Sequence, residues 1–138
     1  MCSSDLARVS TWWLATASAA GDPHAMPVWG AWVDDRGYVL GDAGTRWSRQ
    51  LAARAACVIH VQEGDDVVIV EGHARAVQEP DPRRLAAIAA GFARYATPGG
   101  SAPDPAAWLG RAFWEIVPAV AFGFSDYLRD ATRWHFPG

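Results

Sequence analysis

The stretch from Trp12 to Leu51, WWLATASAAGDPHAMPVWGAWVDDRGYVLGDAGTRWSRQL, runs strand, turn, strand, turn and helix start without interruption. Trp12 to Ala17 is aromatic and apolar and closes on Ala19-Ala20-Gly21-Asp22-Pro23, which is turn chemistry. Met26 to Val33 repeats the pattern, so a second strand is expected there. Asp34-Asp35-Arg36-Gly37 then reads as a hairpin loop with Gly37 free to take positive φ, and Tyr38-Val39-Leu40 begins the return strand. These residues predict three antiparallel strands in sequence order. Gly41-Asp42-Ala43-Gly44 breaks the last strand, and Thr45 is placed as the N-cap of a helix running to about Arg54. Trp47 and Leu51, four apart, would share its buried face.

That helix start is the sharpest chemical signal in the chain. The first N–H groups of a helix lack intrahelical partners and carry the positive end of its dipole, which makes an anion site. Arg46 adds a fork that matches a phosphate. Local sequence alone also fits an ordinary capped helix with a solvated arginine.

Outward from this stretch, Cys57 to Gln62 alternates, with Cys57, Ile59 and Val61 on one side, and Glu63-Gly64-Asp65-Asp66 is its turn. Val67 to Val77 is the longest strand, apolar at first and alternating later, as if it moved from a barrel centre towards an edge. Asp81-Pro82 is a helix start, with Leu85, Ile88, Phe92 and Tyr95 along one stripe. Thr97 to Pro105 is a Pro- and Gly-rich loop, and a short helical piece follows to about Arg111. Phe113 to Val117 is a strand, Pro118 marks an edge or a bulge, and Ala119 to Phe124 continues beyond it. The expected architecture is mainly β, a small antiparallel barrel with helices covering its ends.

Composition bounds the function. At 138 residues the chain reads as one domain, of a size that buries roughly 68–70% of its unfolded surface. A formal charge of −3 without a basic stripe argues against nucleic acid, and no apolar run reaches membrane-spanning length. All 12 basic residues are arginine, which removes any mechanism built on a lysine amine. Cys2 and Cys57 have no paired spacing, so a reduced, cytoplasmic setting is expected and a zinc site is not. Residues 1–6, MCSSDL, resemble a translated sequencing adaptor and are set aside as a non-native leader before a single domain over 7–138.

Eight tryptophans exceed what one small core takes up. Trp12 and Trp13 must face opposite ways on a strand, so a dimer interface is the economical cover for the outward indole. The four histidines lie on separate elements and read as structural or solvent-facing. Glu71 and Glu115, in apolar strands, call for arginine partners more than for acid catalysis.

Together these residues resemble the pyridoxamine 5′-phosphate oxidase-like split-barrel superfamily, in its flavin- and deazaflavin-dependent oxidoreductase branch. Leu14-Ala15-Thr16 with Gly21-Asp22-Pro23-His24-Ala25-Met26-Pro27-Val28-Trp29 looks like the family's first hairpin. Asp65 to Ala74 looks like its central strand, and Thr132-Arg133-Trp134-His135-Phe136 like its ending. The resemblance implies a homodimer of split barrels with FMN or the deazaflavin coenzyme F-420 bound between subunits. Met26, Pro27, Val28 and Trp29 would line the ring, while Thr45 and Arg46 would hold the phosphate. Trp47 and Gln50 occupy neighbouring motif positions, and the partner's Trp134 would close the groove. Where the family reads Ser-Arg-Lys followed by Asn-Leu, this chain has Thr45-Arg46-Trp47 and Gln50-Leu51, which removes an ammonium contact. The implied activity is hydride transfer between the cofactor and a small organic substrate, with protonation from solvent or Tyr127. A non-catalytic binder of flavin, haem or another planar ligand is the alternative, and a dimer that has lost its ligand is a third.

Overall fold

Strand β1 (Trp12–Ala17) sends alternate side chains to opposite faces, so Trp12, Leu14 and Thr16 are buried while Trp13 is 41% exposed. This computed structural model describes residues 2–126 and 129–137. Gly21, at φ 91°, makes the expected turn, and β2 (Pro23–Val28) returns antiparallel with Trp12 opposite Val28.

The next step differs from the sequence reading. The run from Met26 to Val33 is two strands, because the chain turns a corner at Trp29 before β3 (Gly30–Val33). β3 pairs with β4 (Arg36–Gly41), and the sheet order is β2-β1-β5-β6-β7-β4-β3, where β5 is Ala56–Glu63, β6 is Asp66–Ala76 and β7 is Ala112–Phe124. β2 and β3, joined by one residue, thus lie at opposite ends of the sheet path. The sheet curls to bring those ends together, which makes a half-barrel with its split at Trp29. Gly30 permits the corner, since a Cβ there would sit 2.1 Å from Trp12 Cε3.

The β3–β4 hairpin also departs from expectation. Asp34 and Asp35 carry the positive φ angles, 48° and 58°, as a two-residue turn of the primed type requires. Gly37 lies within β4 and is there for space, because a Cβ would meet Ile59 Cδ1 at 2.9 Å.

β6 and β7 form the spine. β6 pairs with β5 as far as His73 and with β7 through Ala76. β7 is paired on both sides, by β6 along its length and by β4 and then β8 (Thr132–His135) on the other. Pro118 therefore sits in a bulge and not on an edge: Gly72 faces Pro118 and Glu71 faces Val120, leaving Ala119 out of register. The Ala119 carbonyl accepts instead from the Phe136 amide at 2.9 Å.

Helix α1 (Cys2–Arg8) precedes the barrel, α2 (Arg46–Ala53) follows β4, and α3 (Pro82–Phe92) links β6 to β7. Leu6 of α1 is fully buried, and its carbonyl accepts from Trp12 Nε1 at 3.0 Å. Asp81 caps α3 by accepting from the Arg83 amide at 2.8 Å, with Pro82 at the first helical position. Two cores result. One fills the barrel around Trp12, Leu14, Trp47 and Ile59; the other, with Tyr38, Ile88, Phe92 and Phe113, glues α3 to β3 and β4. Among the described residues no helix is long and apolar enough to cross a membrane.

Candidate functional site

The corner at Trp29 opens a groove of about 510 Å³, within the range of small-molecule sites. Pro27, Val28 and Trp29 form one wall, and Leu40, Gly41 and Trp47 the other. Trp47 is buried against β4, where a Cβ on Gly41 would lie 2.1 Å from its Cζ2. Trp29 is 48% exposed and stacks on Tyr95, ring centroids 5.3 Å apart. Among the described residues β2 pairs only with β1, so the outer edge of Pro27 and Val28 leaves main-chain groups to a ligand.

Among the groove residues not singled out for the site in the sequence, Arg94 and Tyr95 form a hydrogen-bond network at the corner. The Tyr95 hydroxyl accepts from the Gly30 amide at 2.9 Å and donates to the Ser10 carbonyl at 2.7 Å, with the Gly30 carbonyl at 3.0 Å. The Arg94 guanidinium donates to the carbonyls of Leu6, Ala7 and Gly30 and to the Tyr95 hydroxyl. Among the described residues Arg94 is the one charged side chain in the groove lining, and it bonds to neutral carbonyls and a hydroxyl. Their partners at the corner lie more than sixty positions away in sequence. The polar tip of Tyr95, ending an otherwise apolar stripe, is the signal that could have found them.

The neighbouring helix start is built as expected but is partly spoken for. Thr45 is the N-cap of α2, and its Oγ1 accepts from the Ser48 amide at 3.4 Å while donating to the Asp42 carbonyl at 2.8 Å. Asp42 turns its carboxylate onto the Gly44 amide at 3.0 Å, and its carbonyl takes the Thr45 amide. The loop amide nearest the expected phosphate is therefore occupied by a negative group of the chain itself. Arg46 is exposed, and among the described residues no hydrogen bond or ion pair engages its guanidinium.

The remaining expected residues scatter. Met26 is half-buried on β2 against the barrel core. Gln50 turns inwards, where its Oε1 accepts from Thr16 Oγ1 at 2.6 Å. Trp134 lies on β8 over Gly123, in a different depression of the same chain. Tyr127 lies outside the described residues.

Elsewhere the acids and histidines behave as structural groups. Glu115 accepts from Arg75 Nε at 2.6 Å and from the Tyr38 hydroxyl at 2.8 Å, which is the arginine partner its strand called for. Glu71 is exposed. His60 stacks against Trp13 on the outward face of the sheet, and burial lowers its pKa. Cys57 is a buried free thiol whose pKa burial pushes up to about 12, so it stays protonated and inert. Among the described residues no three His, Cys, Asp or Glu side chains gather as a metal would need.

No curated protein is significantly similar to the chain. Several solved structures share its fold. An F-420 reductase matches with TM-score 0.66 at 24% identity, over 86% of this chain and 93% of that one. A pyridoxamine 5′-phosphate oxidase-related, FMN binding protein from Nostoc punctiforme matches with TM-score 0.58 at 13% identity, over 99% and 92%. A heme binding protein from Mycobacterium smegmatis matches with TM-score 0.62 at 17% identity, over 94% of this chain and 57% of that one. The fold thus serves F-420, FMN and haem proteins alike. The sequence itself matches the pyridoxamine 5′-phosphate oxidase family model over residues 4–122, and with the curled sheet and split corner described above it follows that the chain belongs to that family.

Proposed function

We propose that the protein is a homodimeric oxidoreductase that binds FMN or the deazaflavin coenzyme F-420 at the Trp29 corner and serves hydride transfer to a small organic substrate. The observation that carries this reading is the groove itself: two apolar walls, a Trp29–Tyr95 stack and an open strand edge make a slot for a flat heterocycle. The bound ring would supply the hydride chemistry, leaving the protein to bind, orient and shield. Arg46, with no partner among the described residues, would hold the phosphate beside the first-turn amides of α2. Trp29 and Tyr95 would fix the plane of the ring, and Trp47 would keep water from the inner wall.

The dimer enters because two indoles, Trp13 and Trp29, are left 41% and 48% exposed. Exposed aromatics of this size are enriched in interface cores. Because Trp134 packs elsewhere in its own chain, it would reach the groove only across that interface.

A second reading, a non-catalytic binder of a planar ligand, is favoured by one observation, the Asp42 carboxylate on the Gly44 amide. It weakens the phosphate cradle without touching the ring slot.

The test is the visible spectrum of the purified protein, then titration with FMN and with F-420. Saturable binding of either, with turnover when a donor is supplied, supports the enzyme; binding without reduction by any donor supports the second reading. Arg46→Ala is expected to weaken cofactor binding about ten- to a hundredfold, since a charge-assisted bond is worth about 1.5–3 kcal/mol. Failure to bind either cofactor, or a monomer in solution, would overturn the proposal.

A further inference from the structure

A second depression, of about 500 Å³, lies between the first turn of α3 and the sheet, and it shares no lining residue with the Trp29 groove. Its separation follows from the helix. Arg83 and Arg84 stand at the start of α3, whereas Arg94 and Tyr95 follow its end. Eleven residues at a rise of about 1.5 Å put about 16 Å between them.

The polar groups of this cleft converge. Tyr38, only 1% exposed, donates its hydroxyl to Glu115 Oε2 at 2.8 Å and accepts from Arg84 Nη1 at 3.3 Å. Burial first, and then the hydrogen bond to Glu115, pushes the Tyr38 pKa up to about 12, so the hydroxyl keeps its proton. Two of the four acids are spent, Glu115 on Arg75 and Tyr38 and Asp81 on capping α3, while Glu79 is exposed at the rim with no partner among the described residues. Asp34, 77% exposed in its side chain, holds Arg84 only loosely at 3.6 Å. The arginines are not spent. Arg83 is exposed and makes no side-chain hydrogen bond or ion pair among the described residues, and Arg84 has its second terminal nitrogen to offer. Val77, Pro80 and Ala87 supply an apolar wall beside these forks, backed by the buried Ile88.

We propose that this cleft is a second binding site, which takes a small carboxylic acid with a compact apolar body. The carboxylate sits on the free forks of Arg83 and Arg84, displacing Asp34 from Arg84, and the apolar body lies against Val77, Pro80 and Ala87. Guanidinium geometry suits a bidentate carboxylate, and the apolar wall selects against small hydrated anions. The site stands independently of the cofactor groove.

Titration calorimetry of the full chain with benzoate, and with benzamide as the neutral isostere, tests this. Benzoate is expected to saturate one site per chain, with or without FMN present, and benzamide to bind at least about tenfold more weakly. The double variant Arg83→Gln/Arg84→Gln should lose about tenfold in benzoate affinity with its unfolding midpoint little changed. Should that variant fail to fold, Arg83→Gln alone, at an exposed position, is expected to weaken binding about threefold. No saturation at millimolar benzoate, equal binding of benzamide, competition by FMN, or benzoate affinity unchanged in Arg83→Gln would each overturn the proposal.

Discussion

The two ends of α3 meet the same sheet and do opposite things. At its far end Tyr95 and Arg94 wall a groove whose lining carries one charge, and that charge is tied to neutral partners. At its near end the cleft holds three arginines and four acids around a buried hydroxyl. The contrast shows how one helix separates two kinds of surface: where its apolar stripe continues past the last turn the walls are aromatic and suit a flat ring, and where its capped start meets strand ends the surface is ionic.

The sharpest way to break this picture is to remove the stripe itself. Phe92 is fully buried and lies under Tyr95, with ring centroids 5.9 Å apart. Phe92→Ala is expected to cost about 3–5 kcal/mol in urea unfolding and to loosen the groove end first. A loss below about 1 kcal/mol would mean that α3 is not the glue between groove and sheet.

Next comes the corner. Gly30→Val would drive a side chain into the Trp12 ring, with an expected loss of about 1–3 kcal/mol and weakened cofactor binding. Unchanged stability would show that the corner yields freely and that the groove is not preorganised.

At the ionic end the probe is alkali. Tyr38 ionises near 10 when unfolded and at about 12 when folded, so its contribution is fully present below pH 10 and is lost as pH rises through 12. Stability is expected to fall by about 2 kcal/mol over that window, and Tyr38→Phe should remove this part of the fall. Comparing the two proteins cancels the parallel effect of Cys57, whose pKa is also raised. Equal slopes would mean that the hydroxyl is not held by burial and Glu115.

The smallest expected effect is at the groove surface. Trp29→Ala removes a half-exposed ring stacked on Tyr95, worth about 0.5–1.5 kcal/mol of stability, while cofactor affinity should fall by more than that stability loss implies. Equal, small effects on both would take Trp29 out of the site.

Much of the fold was legible because it is local. Alternation placed Cys57, Ile59 and Val61 inside, Asp81-Pro82 started α3 where it was expected, and Thr45 capped α2. The misses are where tertiary contacts override local pattern. Positive φ fell on Asp34 and Asp35 because the twist of a two-residue hairpin demands it, and Gly37 was kept for Ile59. Pro118, expected at an edge or a bulge, sits in a bulge, and the choice between the two needed the partners that pair its strand from both sides. The site was legible in part. Pro27, Val28, Trp29 and Trp47 share one groove, but Arg94 and Tyr95 reach it from the far end of α3, and Gln50 is committed to Thr16.

By itself the sequence determined most of the strands, the two inserted helices, where α2 begins, and the family to which the chain belongs, because periodicity, capping and motif order are short-range properties. Only the tertiary structure decided that one apparent strand breaks at Trp29, that the sheet ends meet there, and that Asp42 turns its carboxylate onto the helix start. Those outcomes depend on packing an indole against Gly30 and on hydrogen bonds that the local pattern does not specify.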